Sequence, residues 1–402
     1  MHIHILSNDI PLLQLQKDTI MNNFAYANPV KIIFGKDTIK EITNEIPQSS
    51  KVLITYGGGS IKKNGVYDQT VKALEGFEWY EFAGIEPNPH YETCMKAVEF
   101  IKEKGITFLL SVGGGSVLDA TKFIAAAALF EGNEPWDILS KGSEIKKAMP
   151  FADIITLPAT GSEMNNGGVI TRVSTEEKLA FSSDFTYPLF SVLDPTVTFS
   201  LPVRQVGNGV VDAFVHVMEQ YLTYSESNSL LQDNMAEAIV KTLVEEGPKA
   251  LSDPHNYDVR ANLMWASTWA LNGWINCGVP QDWATHMIGH EITAFYGLDH
   301  AQTLAIVLPG VMTVLKEQKS KKIIRLGREV FGIQGDGAIE KTIKAVENFF
   351  ETMGVKTHLS DYNLGNEAVE KVSKRLAERG WKLGECHNIT ADTIKEILTL
   401  RK

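Results

Sequence analysis

Short apolar runs alternate with amphipathic stretches through the first half of the chain. The runs have the length and the β-branched and aromatic content of strands: 30–34, 51–56, 79–82, 107–112 and 153–157. The stretches between them repeat apolar residues at helical spacing: 65–74, 90–104 and 117–130. Their alternating order predicts an α/β fold, a Rossmann-like parallel sheet with helices on both faces.

The pattern changes beyond residue 169. Two short runs, 169–173 and 179–182, flank a polar tetrapeptide and predict a hairpin laid over the sheet. From about Arg204 the periodicity is helical to the end of the chain. We therefore predict an α/β domain over 22–203 followed by an all-α domain over 204–402.

Composition and charge remove several functional classes. The 38 basic and 49 acidic residues give a net charge of −11 without any basic stripe, so we expect no nucleic-acid partner. The longest apolar run, 123–130, is far shorter than the ~20 residues of a membrane span, so we expect no membrane association. Three widely spaced cysteines suit a reducing compartment and predict a cytoplasmic protein. Residues 1–21 form a leader of unknown role, a poor signal peptide because it lacks a basic start.

Two Gly-Gly-Gly-Ser turns follow predicted strands. They are Gly57–Ser60 and Gly113–Ser116. Glycine turns at the carboxyl ends of parallel strands let backbone N–H groups approach a phosphate, and the helix that follows adds its positive end. The second turn has the clearer strand and helix around it, so we expect it to bind the pyrophosphate. Neither turn completes G-x-G-x-x-G, and the alternative is that each is only a tight turn.

Acidic and imidazole side chains cluster in the helical half. Asp212 and His216 lie four residues apart in one predicted helix, and His286 and His290 do so in another, shortly before His300. Such pairs give a metal two ligands from one helix face. A carboxylate with several imidazoles suits Fe(II) or Zn(II) rather than Mg²⁺ or Ca²⁺. The alternative is a set of core or surface pairs without metal. A zinc peptidase is not expected, because no Glu stands between the paired histidines.

These motifs together resemble the iron-containing, metal-dependent (group III) alcohol dehydrogenases. The resemblance covers about residues 23–402 and is strongest to the butanol dehydrogenase and broad-specificity aldehyde reductase branch. It rests on six motifs, which are Glu86-Pro-Asn-Pro89, Gly113-Gly-Gly-Ser-x-x-Asp119, Thr156-Leu-Pro-Ala-Thr-Gly-Ser-Glu163, Asp212-x-x-x-His216, His286-x-x-x-His290 and Gly297-x-x-His300. The implied fold is a dehydroquinate-synthase-like α/β domain before the helical metal-binding and substrate domain.

The resemblance also implies roles for individual residues. The metal ligands would be Asp212, His216, His286 and His300. His290 would be a catalytic proton relay outside the ligand set. The cofactor loop would contain Gly114, Gly115, Ser116 and Asp119. Three further residues would lie along the cofactor, with the last of them near the nicotinamide ribose: Thr156, Thr160 and Lys178. Asn88 would lie near the adenosine half.

The first glycine turn predicts the cofactor. Members of the family that prefer NAD carry an Asp after this strand, whereas this chain has uncharged Gly57, Gly58, Gly59 and Ser60, with Lys62 and Lys63 close behind. A carboxylate there would bind the ribose 2′-hydroxyl and repel a 2′-phosphate. We therefore expect NADP(H) to be preferred over NAD(H), the alternative being a loop that tolerates both.

The predicted function is a metal-dependent, NAD(P)H-linked alcohol dehydrogenase or aldehyde reductase, assembled as a homodimer. Its substrates would be small to medium uncharged alcohols and aldehydes such as butanol and butanal, with Trp274 and Trp283 lining the pocket. One rival is a synthase or polyol-phosphate dehydrogenase on the same fold, which should place basic residues near the metal helices; between 207 and 301 the basic residues are only Lys241, Lys249 and Arg260. The other rival is a binding protein without enzymatic activity.

Overall fold

The first domain is built on a parallel sheet. A computed structural model describes residues 21–223 and 229–402, so the leader, apart from Met21, lies outside the described residues. Six strands form the sheet in the order β1-β8-β5-β4-β2-β3, and all pair in parallel. Their bounds are β1 Lys31–Phe34, β2 Lys51–Thr55, β3 Glu78–Phe82, β4 Phe108–Gly114, β5 Phe151–Leu157 and β8 Phe190–Leu193.

The central strands are buried on both faces. Strands β2, β4, β5 and β8 are almost completely buried, which explains why they read as continuous apolar runs rather than alternating ones. The helices that cover the sheet lie at the positions the periodicity predicts. The helices of this half are α1 Ile42–Glu45, α2 Val66–Ala73, α3 Tyr91–Lys104, α4 Gly115–Ala127 and α5 Asp137–Ser140. The α/β architecture is therefore confirmed, although β8 was not predicted.

The order of the strands creates a switch point between β2 and β4. The chain runs outward from β2 to β3 and then returns to the other side of β2 to form β4. In open parallel sheets, ligands bind beyond the carboxyl ends of the strands at such a point. Both glycine turns flank it, because one follows β2 and the other joins β4 to α4.

The predicted hairpin forms and bridges the two halves. Strands β6 Gly167–Arg172 and β7 Glu177–Ser182 pair antiparallel. Strand β6 packs against α4, whereas β7 packs against the helix Ala284–Tyr296 of the second half. The hairpin thus links the glycine-turn helix to a helix that carries two of the predicted site histidines.

The second half is built from helices in its described residues, as predicted, with one isolated antiparallel bridge between Leu383 and Ile389. Its first helix begins one residue after Pro202, and two of its glycines permit close packing. A Cβ at Gly207 would lie 2.0 Å from the Met353 carbonyl oxygen, and one at Gly209 would lie 2.5 Å from that of Pro158. None of the helices that the structure describes is long and apolar enough to cross a membrane. The bounds are α6 Val203–Tyr221, α7 Leu230–Ser252, α8 Tyr257–Ala270, α9 Ala284–Tyr296, α10 His300–Val314, α11 Ser320–Phe331, α12 Ala338–Thr352, α13 Asn366–Glu378 and α14 Ala391–Thr399.

Candidate active site

Three helices bring the predicted metal ligands together. Asp212 and His216 lie on α6, one turn apart, and His286 faces them from α9. One possible ligand atom from each of these three buried residues lies within 4.8 Å of the other two. Spacing of this order leaves room for one ion among the three side chains.

His300 joins this cluster as the first residue of α10. Its Nε2 lies 3.7 Å from Asp212 Oδ1, and His216 Nδ1 lies 3.6 Å from the same oxygen. The reversal that places His300 is built by Gly297, which ends α9 with φ +68°, and by Asp299, whose capping box with Gln302 begins α10. The predicted set of four is therefore assembled around one carboxylate oxygen.

The polar atoms of the cluster lack partners that would explain their burial. Among the described residues, three buried atoms of the cluster accept or donate no hydrogen bond: Asp212 Oδ1, His216 Nδ1 and His286 Nε2. An unpaired buried polar group is costly, whereas coordination of a cation would satisfy such atoms. One carboxylate and three imidazoles are a donor set that Fe(II) or Zn(II) accepts. The residues therefore fit a divalent transition ion.

Burial keeps the imidazoles neutral, the state in which they can bind a metal. It lowers the pKa of His216 to about 4 and that of His286 to about 3. The pKa of His300 falls well below its usual range for the same reason, with the positive charge of Lys178 adding to the effect. Burial raises the pKa of Asp212, while His216 and Lys178 oppose that rise.

His290 lies beside the cluster and outside the three-residue group. Its ring centroid is 5.3 Å from that of His300 and 6.3 Å from that of His286. Burial lowers its pKa well below the usual range. Trp283, which precedes α9 with φ +62°, stands on another side with its ring 5.3 Å from that of His286. Trp274 instead packs against Tyr26.

The second glycine turn is shaped by close neighbours. A Cβ on Gly115 would lie 2.4 Å from Thr160 Oγ1, and one on Gly114 would lie 3.1 Å from Leu157 Cβ. Only glycine fits at the first of these positions. Ser116 follows in the first turn of α4, where backbone N–H groups are free to meet an anion. Thr156 is the last residue but one of β5, at the same edge of the sheet.

The first glycine turn is open by comparison. The backbone carbonyl of Gly57 accepts a hydrogen bond of 3.1 Å from Gly84 N. Gly59 has a left-handed backbone conformation with φ +88°. A Cβ on Gly58 would meet no atom within 4 Å. Ser60, which is exposed, begins a short 3-10 helix. Lys62 is already engaged, since its Nζ lies 3.1 Å from Glu81 Oε2.

The structure brings Asn88 into contact with Lys178. Lys178 Nζ donates to Asn88 Oδ1 at 2.8 Å, so these two side chains cannot lie at opposite ends of a dinucleotide. The positive charge of Lys178 also lowers the pKa values of His286 and His300, which puts Lys178 near the metal cluster. Asn88 and Lys178 therefore face the same part of the site. Burial lowers the pKa of Lys178 to about 8.

Comparisons with known proteins agree with this geometry. Residues 29–195 match the family described as "Iron-containing alcohol dehydrogenase", and residues 207–401 match "Fe-containing alcohol dehydrogenase family, C-terminal". The chain belongs to the iron-containing alcohol dehydrogenase family. The expected family, its fold and its oxidoreductase class are thus confirmed.

Three proteins illustrate the range of relatives. NADPH-dependent aldehyde reductase YqhD of Escherichia coli (strain K12) is 55% identical over 383 residues, which span 94% of this chain and 99% of that protein. NADP-dependent alcohol dehydrogenase 3 of Entamoeba histolytica is 43% identical over 362 residues, 89% of this chain and 93% of that one. The crystal structure of NADH-dependent butanol dehydrogenase A from Thermotoga maritima is 39% identical and has a TM-score of 0.90, covering 95% of this chain and 99% of that chain.

Two buried charged residues near the site of this family member, Lys122 and Glu219, were not predicted. Lys122 on α4 donates to four oxygens of the segment 162–167, and Asp119 accepts from Ser162 Oγ at 2.7 Å and from Val169 N at 3.0 Å. Asp119 therefore fixes the loop around the glycine turn. The sequence signal that could have revealed Lys122 is a charged side chain within an otherwise apolar, Ala-rich helix.

Glu219 is the other omission, and its position in the sequence could have revealed it. It lies seven residues after Asp212 and three after His216, which is the same face of α6. Its Oε2 lies 2.8 Å from His286 Nδ1.

Proposed function

We propose that the protein interconverts small to medium uncharged aldehydes and alcohols, with NADP(H) as the hydride carrier and one divalent ion, Fe(II) or Zn(II), at the buried cluster. The observation that carries this proposal is the convergence of one carboxylate and three imidazoles, with unpartnered donor atoms, beside the hairpin that reaches the glycine-turn helix. The ligands would be Asp212, His216, His286 and His300.

The chain's own residues prepare the reaction. The bound ion would polarise the carbonyl oxygen as a Lewis acid while the nicotinamide carries the hydride. The lowered pKa values of the histidines keep them as neutral donors, so the only ligand charge is that of Asp212. His290 would pass a proton between the site and solvent. Lys178 and Asn88 would position the nicotinamide ribose through their shared hydrogen bond.

The preference for NADP(H) is supported by the open, uncharged turn after β2. At its tip Gly58 is exposed and offers space for a 2′-phosphate, whose partners would be backbone N–H groups and the Ser60 hydroxyl. The pyrophosphate would lie on Gly114, Gly115 and Ser116 at the start of α4. The 55% and 43% identical relatives are named for NADPH and NADP, whereas the 39% identical structure is named for NADH.

The substrate class is supported by the surroundings of the metal cluster. Trp283 lies against two ligand rings, with centroids 5.3 Å from His286 and 6.3 Å from His216, and it would form an apolar wall. A wall of this kind discriminates weakly between chain lengths, because each methylene is worth only about 1–3 kcal/mol. We therefore propose broad specificity without recognition of phosphate or carboxylate groups.

A matrix of kcat/KM values tests this function. NADPH and NADH would be combined with propanal, butanal, hexanal, glyceraldehyde 3-phosphate and glyoxylate in metal-loaded protein. We expect NADPH with the uncharged aldehydes to give the highest values, with modest differences between them. A value for either charged substrate well above that for butanal would contradict the proposal.

We also propose a cytoplasmic homodimer. All three cysteines are free, as suits a reducing compartment. Strand β1 is at one edge of the sheet, and three large apolar side chains are exposed on or near this side: Phe34, Leu189 and Trp265. An exposed strand edge with apolar side chains favours pairing with a second copy. Light scattering of the purified protein should give twice the chain mass, and a monomer would contradict this assembly.

A further inference from the structure

Glu219 lies directly behind one of the proposed metal ligands. It sits on α6, two turns after Asp212, and its side chain is 2% exposed. The carboxylate crosses to the start of α9, where two backbone N–H groups and one imidazole nitrogen converge on it. Oε1 accepts from Thr285 N at 2.6 Å, and Oε2 accepts from His286 N at 3.2 Å and contacts His286 Nδ1 at 2.8 Å.

This contact decides which nitrogen of His286 can reach the metal. A neutral imidazole carries its proton on one nitrogen and offers a lone pair on the other. With Nδ1–H donating to Glu219, the lone pair is on Nε2. That nitrogen is buried and has no hydrogen-bond partner among the described residues. This tautomer would leave Nε2 as the nitrogen available to a metal ion.

A buried ion-pair network around Lys319 holds the same two helices in place. Lys319, whose side chain is 1% exposed, donates to the carbonyl of Leu222 just beyond α6 and to Asp282 Oδ2 at 2.6 Å. Asp282 in turn accepts from Ala284 N at 2.8 Å at the beginning of α9. Glu385 is the second carboxylate around this lysine, with its Oε1 3.0 Å from Lys319 Nζ. These contacts fix the end of α6 against the start of α9, so Glu219 meets His286 in one geometry.

We propose that Glu219 is a positioning residue that sets the tautomer and orientation of His286, so that Nε2 is available to the ion at the proposed metal site. The inference rests on the proposed function. Residues that orient a ligand histidine in this way typically contribute about 10–100-fold to metal affinity or activity.

The conservative change Glu219→Gln isolates this role. Glutamine keeps the size of the side chain and offers one acceptor and one amide NH₂. If the amide oxygen stays near His286, the NH₂ faces the Thr285 N–H and that hydrogen bond is lost. If the NH₂ faces His286, it favours the tautomer with the proton on Nε2, which cannot bind metal. Either arrangement weakens the site without removing a metal ligand.

Metal affinity and tautomer state are the deciding readouts. Zn(II) affinity would be measured by chelator competition in the wild type and in Glu219→Gln, with Glu237→Gln as the matched control. Glu237 is also a buried carboxylate. It accepts a hydrogen bond of 2.7 Å from Tyr221 OH and is not part of the metal site. We expect a loss of about 10–100-fold for Glu219→Gln, unchanged NADPH affinity and a change of less than twofold for the control.

A spectroscopic measurement on the wild type keeps the proposal falsifiable if the variant does not fold. Nitrogen-15 NMR of histidine-labelled protein should show His286 protonated at Nδ1 in the metal-free state and bound through Nε2 after Zn(II) is added, with His286→Gln used for assignment. A proton on Nε2, metal on Nδ1, or a Glu219→Gln affinity within twofold of wild type would overturn the role of Glu219. If the wild type binds no Zn(II) at all, the proposed metal function fails instead.

Discussion

Replacing Gly58 with Asp tests how the chain distinguishes NADPH from NADH. Among the glycines of the first turn, Gly58 alone accepts a side chain without strain. A Cβ at Gly57 would lie 3.1 Å from the Ile85 carbonyl oxygen, and Gly59 has φ +88°, whereas a Cβ at Gly58 meets nothing within 4 Å. The new carboxylate can therefore be introduced without disturbing the turn.

The magnitude follows from charge and exposure. Two unit charges ~4 Å apart interact by about 1 kcal/mol in water and about 4 kcal/mol near a protein surface. Gly58 is exposed, so the repulsion of a 2′-phosphate should be near the lower end, ~1–2 kcal/mol. A hydrogen bond from the ribose hydroxyl of NADH to the carboxylate should favour NADH by about 1 kcal/mol more, which adds to the effect of the repulsion. The preference should therefore shift toward NADH by roughly 30- to 150-fold, at 1.4 kcal/mol for each factor of ten.

The assay is kcat/KM for NADPH and NADH at saturating butanal in the wild type, Gly58→Asp and Gly58→Asn. Asparagine has the same shape without the charge, so it should retain most of the preference for NADPH. The salt dependence of the NADPH value should be weaker in Gly58→Asp than in the wild type, because screening reduces the repulsion. A wild type that prefers NADH, or an Asp variant whose ratio stays within threefold of the wild type, would refute the role of this turn.

Three further results follow from the metal cluster. His286→Ala should lose bound metal and turnover while it still folds and binds NADPH, with a loss of activity far above the ~10–100-fold of a supporting residue; retained metal with near-normal kcat would show that His286 is not a ligand. His290→Ala should keep its metal and lose less than the roughly 10²–10⁴-fold of a positioned acid or base, since water can replace a relay; loss of the metal would make His290 a ligand. The metal-free protein should lose stability as the pH falls from 7.5 to 5. The pKa of buried His216 is lowered to about 4, so the unfolded chain, with a histidine pKa near 6.5, takes up the proton first and unfolding is favoured by about 2 kcal/mol. Urea unfolding of the metal-free wild type and of His216→Gln at both pH values checks this. The variant should lose less free energy of unfolding between pH 7.5 and 5 than the wild type, and an equal loss would contradict the reasoning.

The sequence predicts the sheet well because its strands are buried on both faces. Strands such as β2 and β4 are long apolar runs that end in glycine turns, and each of these features is visible without a structure. Strand β8 was missed because it is only four residues long and lies between Pro188 and Pro195 in a stretch with no clear period. Its position between β1 and β5 depends on pairing with residues far away in the chain.

The site was predictable where local spacing carries the information. Asp212 and His216 are four residues apart in a predicted helix, which places them on one face, and the same holds for His286 and His290. Contacts between distant segments were not predictable in this way. The hydrogen bond between Asn88 and Lys178 joins residues 90 positions apart, and no local pattern in the sequence indicates it. Glu219 was predictable in part. Its place on the same face of α6 as Asp212 can be read from the sequence, whereas its contact with His286 on α9 cannot.

Removal and return of the metal tests the central claim most directly. The protein would be stripped with a chelator, and NADPH oxidation with butanal would be followed before and after stoichiometric Fe(II) or Zn(II), with His286→Ala treated in parallel. The account predicts that the stripped wild type still binds NADPH but is inactive, that one equivalent of at least one of these ions restores turnover, and that His286→Ala does not recover. Full activity in the thoroughly stripped wild type, or equal recovery in His286→Ala, would contradict a metal-dependent reaction at this cluster.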